Sequence, residues 1–212
     1  TPLYSSAASD VYKRQVLILA VVMTLVYLVV QYIIAGAITG KNPFKALRNM
    51  MPAYFTALGT SSSAATIPIS VESTLKNGIS RPVANFVIPL CATIHLSGSM
   101  IKLTLYAFAI VYMANLDIST STGLGFIFLL GIMMIAAPGV PGGAVMVAAG
   151  LLADMMGFDD GMVALMIAAY IAIDSVGTAA NVTGDGAIAM ILDKFVGNRE
   201  DATKEELTDP TA

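Results

Sequence analysis

The sequence predicts an all-α membrane protein that combines transmembrane helices with two re-entrant helical hairpins and two unwound helices. Three observations predict this class. The 212-residue chain is 57% hydrophobic and 12% charged, whereas soluble domains carry about 25% charged residues. Residues 16–39 form an apolar run without a charge. Polar or Gly- and Pro-rich motifs interrupt the later apolar segments, and a membrane tolerates such irregular backbone only where protein or water satisfies it.

Composition also excludes several classes of function. A net charge of −3 argues against a nucleic-acid partner. Cys91 is the single cysteine, which excludes an internal disulfide, and His95 is the single histidine, which excludes a zinc site built from several histidines. The sequence has no evident nucleophile–base pair or cluster of metal ligands, so we do not expect an enzyme.

Both ends of the chain are polar. Residues 1–15 lack an initiating Met and end in DVYKRQ, directly before the apolar run. We expect them to be a non-native or disordered leader, with an ordinary juxtamembrane segment as the alternative, and we expect the chain to be truncated. Residues 197–212 carry charges of both signs and predict a polar cytoplasmic tail.

The apolar part of the chain, residues 16–196, begins with a crossing and a hairpin and is interpreted below as a membrane transport domain. A transmembrane helix is predicted over residues 16–40, because about 20 apolar residues span the hydrocarbon core. Residues 44–77 contain two half-length apolar arms on either side of GTSSSAAT. Because each arm is too short to cross the bilayer, this segment predicts a first re-entrant hairpin that returns to its starting side.

The same pattern then repeats. Residues 83–115 predict a transmembrane helix that is broken at HLSGS. Residues 122–157 predict a second hairpin with PGVPGG at its tip, because Pro and Gly break helix geometry. Residues 162–195 predict a last broken helix, interrupted by NVTGDG. Alternating hairpins and broken helices are typical of an inverted repeat with a binding site near the bilayer midplane.

The positions of Lys and Arg support this topology. With three crossings and two re-entrant hairpins, one side of the membrane receives Lys41, Lys45, Arg48, Lys76, Arg81, Lys194, Arg199 and Lys204. The loops on the other side carry Asp117, Asp154, Asp159 and Asp160 instead. The positive-inside rule makes the first side cytoplasmic.

Two carboxylates in the last broken helix are candidates for binding. Asp174 and Asp185 lie in an otherwise apolar stretch, where a charge costs roughly 2.5 to 3.5 kcal/mol, so each should face a cation, an ammonium group or water. Asn181 lies four residues before Asp185, and together they offer oxygen ligands to a small cation. Asp174 is better placed to meet a substrate amine. The alternative is a structural role, in which hydroxyl groups cap both carboxylates at a helix break.

The serine-rich tip and Lys102 are further candidates. The tip offers hydroxyl and N–H groups to a substrate carboxylate, although a flexible linker has the same composition. Lys102 follows His95 by about two helical turns, and two interpretations of it stay open. It is either a tethered cation that replaces a bound ion or switches with His95 through a proton, or a lysine that snorkels or pairs with a carboxylate.

Four motifs in this order resemble the dicarboxylate/amino acid:cation symporters, the glutamate transporter family: the serine-rich tip, IPLCATIHLSGS, APGVPGG and DSVGTAANVTGD. The resemblance covers about residues 16–195. It implies an elevator-type transport domain in which the two hairpin tips clamp the substrate. Because family members are longer, it also implies a missing N-terminal scaffold and a homotrimer in the full-length protein.

The resemblance further implies the residues of the sites. For the substrate it implies Ser61, Ser62, Ser63, Val140, Gly142, Asp174, Thr178 and Asn181, with Asp174 on the amino group. For one sodium ion it implies Asn181 and Asp185 with carbonyls near Cys91 and His95. For a second sodium ion it implies backbone carbonyls at Thr93, Met134, Ile135 and Ala137.

Two departures from the family pattern affect what the resemblance implies. Members that carry acidic substrates have an Arg where this chain has Gly177, and this difference favours a neutral amino acid. Ser97 stands where the family has an aspartate that helps to hold a further sodium ion. The ion count therefore stays open, with His95 or Lys102 as substitutes for that charge.

The sequence thus predicts a secondary active symporter that moves an amino acid, neutral in preference, with sodium ions. Its partners would be a small solute and membrane lipid, and its location the plasma membrane, as a multi-pass protein of a bacterial inner membrane. The alternatives are a dicarboxylate or acidic amino acid symporter and a carrier in which a proton replaces one sodium ion. A ligand-gated anion channel or a receptor without transport is a further alternative.

Overall fold

The computed structural model of the chain describes the backbone of residues 7–208 and the side chains of residues 14–196. Within residues 7–208 the regular structure is helical throughout, which confirms the predicted all-α class. The helices are α1 (Ala7–Thr39), α2 (Pro43–Asn49), α3 (Met51–Thr60), α4 (Ser63–Leu75), α5 (Arg81–Ile94), α6 (Ser97–Met113), α7 (Thr120–Met133), α8 (Gly143–Met156), α9 (Asp160–Ala172) and α10 (Asp174–Thr208), with a 3₁₀ turn at Met134–Ala136.

Two stretches of the described chain are long and apolar enough to cross a membrane. They are Arg14–Thr39 and Arg81–Ala114, and the pair α9–α10 becomes a third if its two helices, which meet at 61°, form one bent span. These stretches lie close to the three predicted crossings, which themselves stay a prediction. The predicted interruption of the last one at NVTGDG is wrong, because α10 is continuous there and the break lies at Ile173. The polar side chains of NVTGDG need no unwound backbone, since Asn181 and Asp185 find partners on the neighbouring segment at residues 95–99. The α1 helix presents large apolar side chains to its surroundings, among them Ile18, Leu19 and Val26, as a lipid-facing helix does.

Helical structure reaches into both polar ends of the chain. The α1 helix begins at Ala7, inside the segment that was expected to be a leader, and residues 1–6 lie outside the described residues. At the other end α10 continues to Thr208, through most of the predicted tail. Residues 209–212 and the side chains from residue 197 onward lie outside the described part.

The two predicted hairpins each consist of two short helices that pack against each other. In the first hairpin, α3 and α4 meet at Ser61, whose φ of 50° is left-handed. The Ser62 hydroxyl caps α4 by accepting a hydrogen bond from Ala65 N–H at 3.2 Å. In the second hairpin, α7 ends in the 3₁₀ turn and α8 begins after Gly142, whose φ of 74° favours glycine.

Two apolar clusters form the core. One cluster joins α1, α3, α5 and the middle of α10, and Tyr32 in it donates a hydrogen bond from its hydroxyl to Thr183 O at 2.8 Å. The other cluster joins α6, α7, α8 and α9 around Phe126, Leu130 and Leu152. Because α10 packs against α1, α3, α4, α5 and α6, the polar residues of its first turns lie inside the protein: Asp174, Thr178, Asn181, Thr183 and Asp185.

The α6 and α10 helices approach each other closely through glycine. A Cβ atom on Gly98 would lie 2.7 Å from Gly177 O and 2.9 Å from Ala180 Cβ. The first of these neighbours is backbone and cannot move without displacing α10. The absence of a side chain at Gly98 therefore sets how near the break between α5 and α6 lies to α10.

We expect Gly98→Ala to destabilise the protein, because overpacking costs about 1 to 3 kcal/mol. Thermal unfolding of the purified protein in detergent measures the loss. Gly150→Ala is the matched control in α8, where an added Cβ meets no described heavy atom within 4 Å. It should change the free energy of unfolding by about 1 kcal/mol at most, in the stabilising direction. Equal losses in the two variants would contradict the close approach.

Candidate functional site

The tips of the two hairpins touch each other directly. Gly139 O, in the second tip, accepts hydrogen bonds from the Ser62 hydroxyl at 3.0 Å and from Ala64 N–H at 3.2 Å in the first tip. A Cβ on Gly139 would lie 2.6 Å from Ala92 O. Only glycine therefore allows the second tip to lie between the first tip and the end of α5.

A small cavity of about 10 Å³, enough for a single water molecule, lies between these tips and α10. Six of the eight residues predicted to bind substrate line this cavity: Ser61, Ser63, Val140, Asp174, Thr178 and Asn181. The sequence-based prediction did not include Leu96, Ser99, Pro138, Ala144 and Tyr170, which line it as well. Of the other two predicted substrate residues, Ser62 holds the tips together and Gly142 contacts Asp174.

Asp174 is buried, with 5% of the residue exposed, and both of its carboxylate oxygens accept hydrogen bonds. Gly142 N–H, at the second tip, donates to Oδ2 at 2.7 Å. The Lys102 ammonium donates to Oδ1 at 3.2 Å. The carboxylate that was predicted to meet a substrate amine therefore already has an internal cation as its partner.

Lys102 is fully buried, with 0% exposed. Its Nζ also donates to two carbonyl oxygens, Ile173 O at 3.1 Å and Asp174 O at 3.2 Å, and lies 4.1 Å from the ring centre of Tyr170. Of the two interpretations left open by the sequence, the structure contains the pairing with a carboxylate. It places Lys102 with Asp174, whereas His95 pairs with Asp185.

Asn181 connects α10 to the break between α5 and α6. Its Oδ1 accepts hydrogen bonds from Gly98 N–H at 2.7 Å and Ser99 N–H at 3.4 Å, and its Nδ2 donates to the Ser99 hydroxyl at 3.0 Å. These N–H groups belong to the first turn of α6, where a helix leaves its donors without partners of its own. Asn181 thus caps α6 from a neighbouring helix.

Asp185, which is buried, and His95, which is partly exposed, form a second pair. Asp185 Oδ1 lies 2.8 Å from His95 Nδ1, and Asp185 is 1% exposed. His95 Nε2 lies 3.0 Å from the Ser97 hydroxyl and 3.2 Å from Gln31 Nε2. Among the described residues, the buried Gln31 Oε1 accepts no hydrogen bond, so this cluster has an oxygen ligand to spare.

The remaining residues predicted to offer backbone oxygens to sodium are Cys91, Thr93, Met134, Ile135 and Ala137. Cys91 is buried, and its carbonyl accepts a hydrogen bond from His95 N–H at 2.9 Å. Met134 and Ala137 are buried, whereas the side chains of Thr93 and Ile135 point outward. The 3₁₀ turn packs against α5. The predicted carbonyl ligand at Thr93 and those at residues 134–137 therefore belong to adjoining segments.

Sequence reasoning missed Gln31, Ser99 and Tyr170. Gln31 had a usable signal, since it is an amide in the charge-free run of the first helix and an amide in lipid needs a partner. Ser99 was visible only as part of the HLSGS break. Tyr170 had no signal, because an aromatic residue in an apolar helix is ordinary.

Most of the chain resembles one family of known proteins. The model of the sodium:dicarboxylate symporter family matches residues 12–195. The chain is 30% identical over 179 residues to the neutral amino acid transporter B(0) of Mus musculus, covering 81% of this chain and 30% of that protein. It is 31% identical over 157 residues to excitatory amino acid transporter 1 of Rattus norvegicus, covering 74% of this chain and 29% of that protein. The chain thus spans about a third of the length of these relatives.

We expect Asn181→Ala to destabilise the protein by about 1 to 3 kcal/mol, because it leaves buried N–H groups of α6 without an acceptor. The measurement is thermal unfolding in detergent. Asn49→Ala is the matched control, since the Asn49 amide donates to Lys76 O at an exposed position and to Asn77 Oδ1 at a partly buried one, and caps the N-terminus of no described helix. A loss in Asn181→Ala no larger than that in Asn49→Ala would contradict the capping role.

Proposed function

Since the chain belongs to the sodium:dicarboxylate symporter family, we propose that the protein is a secondary active symporter that moves an amino acid, neutral in preference, with sodium ions. The family match and the transporters among the relatives support this proposal. Because the chain spans about a third of those relatives, the proposal concerns the activity of the whole protein. No covalent step is part of it.

The observation that carries the proposal is the meeting of the two tips above the cavity that Asp174 lines. Three hydrogen bonds connect the second tip to its surroundings here, two to Gly139 O and one from Gly142 N–H to Asp174. An amino acid is larger than this cavity, so it would enter only after the tips separate. Once bound between them it would contact both tips and α10. Solute binding would then favour the state in which the tips stay together, because a ligand shifts a conformational equilibrium by its preference for one state.

The oxygen atoms around the Asp185–His95 pair support sodium as the coupling ion. Within the described residues, no group of three or more His, Cys, Asp or Glu side chains could hold a metal ion, so a cation here would need amide and carbonyl oxygens beside Asp185. Such hard oxygen ligands suit small cations. The Asp185–His95 contact would have to loosen to admit sodium, and a proton carried by His95 instead is the alternative.

The choice between a neutral and an acidic solute depends on the surroundings of Gly177. A Cβ at Gly177 would lie 2.2 Å from Lys102 Cε, so the lysine occupies the space that a side chain there would need. With Lys102 paired to Asp174, the cavity has no net charge from these two groups, which favours a neutral solute. The positive charge of Lys102 and the excitatory amino acid transporters among the relatives support the acidic or dicarboxylate alternative.

We also propose the arrangement in the membrane. The α3–α4 and α7–α8 pairs would be re-entrant hairpins between three membrane crossings. The membrane would be the plasma membrane, which in a bacterium is the inner membrane. The short apolar helices α7 and α8 support this arrangement. A homotrimer is proposed from the family resemblance alone.

Uptake into liposomes tests the proposed function. We expect the full-length protein to take up labelled neutral amino acids only with an inward sodium gradient. Asp185→Asn should weaken apparent sodium affinity by about 10- to 100-fold, as expected when a charged ligand is lost. Asp154→Asn, which changes an exposed carboxylate of α8, should leave uptake unchanged. Uptake driven by a proton gradient without sodium would favour the proton alternative, and uptake with neither gradient would contradict symport.

Moving the cationic side chain from position 102 to position 177 tests solute preference. Gly177→Arg alone should impair folding or uptake, because the new side chain meets Lys102. Combined with Lys102→Ala, it should be accommodated and should shift preference toward acidic amino acids by about tenfold or more, since arginine pairs with a carboxylate through two hydrogen bonds. The measurement is competition between glutamate and a neutral amino acid for uptake. An unchanged ratio in the double variant would contradict the placement of the solute side chain beside residue 177.

A further inference from the structure

The Lys102 ammonium has the surroundings of a bound cation rather than those of a surface lysine. An ammonium group has three N–H donors, and Lys102 uses them on Ile173 O, Asp174 O and Asp174 Oδ1 at 3.1 to 3.2 Å. The ring of Tyr170 covers the group at 4.1 Å. Lys102 therefore has no donor left for a solute while these bonds persist.

The three acceptors converge because the chain breaks between α9 and α10. Ile173 caps the C-terminus of α9 with a φ of −127°, outside the helical range. The negative end of a helix dipole lies there and stabilises a cation. Asp174 opens α10 and adds a full negative charge. Two carbonyl oxygens and a carboxylate around one point are the oxygen ligands that a free monovalent cation takes at unwound helices.

The lysine reaches this point from a third helix. Lys102 belongs to α6, and its side chain passes over Gly177 of α10, where a Cβ would lie 2.2 Å from Cε and 2.6 Å from Nζ. The missing side chain at Gly177 therefore leaves the path by which the ammonium enters. The carbonyls also accept bonds from their own helix, since Val176 N–H donates to Ile173 O and the Thr178 hydroxyl to Asp174 O, which holds both oxygens in place when the lysine is absent.

We propose that Ile173 O, Asp174 O and Asp174 Oδ1 form a binding site for a monovalent cation of the potassium or ammonium class, which Lys102 fills as a tethered cation. In the wild-type protein this site is closed to free ions, so any ion that drives transport binds elsewhere. Truncating Lys102 opens the site and makes the fold depend on a cation from solution.

Thermal unfolding of Lys102→Ala in detergent tests this proposal without any transport assay. The melting temperature is followed while potassium, ammonium or methylammonium chloride replaces N-methylglucamine chloride at constant ionic strength. We expect a saturable rise of about 5 to 10 °C at a cation concentration near 100 times its dissociation constant. The wild-type protein should show no such rise, since its site is filled.

Lys41→Ala is the matched control. Lys41 Nζ also donates to two carbonyl oxygens, Asn77 O at 2.8 Å and Gly78 O at 2.9 Å, but at a partly exposed loop and without a carboxylate among these acceptors. It should show no saturable response to any of the three cations. A response of equal size in Lys41→Ala would overturn the proposal, because it would assign the effect to general salt binding.

Two further results decide the remaining cases. If Lys102→Ala can be purified folded only when potassium or methylammonium is present, the proposal is supported, and if no cation rescues it, the proposal is wrong. Adding Asp174→Asn to Lys102→Ala removes the charge and should abolish the cation response, whereas a response that persists would place the site elsewhere. Failure of sodium-driven uptake by the wild-type protein would overturn the proposed function and leave these stability results unaffected.

Discussion

The structure depends on one constraint, which is that every polar group at a helix break inside an apolar protein must find its partner within the protein. A membrane provides no water to such groups, and each unsatisfied one costs several kcal/mol. Side chains from neighbouring helices meet this need here. Asn181 of α10 caps the first turn of α6, and Lys102 of α6 bridges the carbonyls between α9 and α10. Each broken helix thus supplies what the other lacks.

This exchange places the two breaks and the tips around one small volume. Asp174 accepts hydrogen bonds from Lys102 and from the second tip, so the helix break and the hairpin are tied through one carboxylate. The close contact at Gly98 holds α6 against α10. It keeps the break between α5 and α6 beside the start of α10. The positions of the groups that line the cavity are therefore set by contacts within the fold.

The all-α class, the order of the helices and most residues that line the cavity could be predicted from the sequence. The reason is that the length of apolar runs and motifs of Gly, Pro and Ser are local signals. The residues at positions 61, 63, 174, 178 and 181 line the cavity, and their role in binding substrate stays a prediction. The pairing of Lys102 with Asp174 was one of two open alternatives, since it depends on where α6 crosses α10. The contribution of Gln31 from the first helix is likewise set by packing between distant segments, which residue spacing within one element does not encode.

The contact between the tips has a consequence for how an opening would proceed. Ser62 and Ala64 share one acceptor, the carbonyl oxygen of Gly139, so a displacement of that single atom severs both links together. The two links therefore do not fail independently, and the attachment of the first tip depends on the backbone conformation of one glycine.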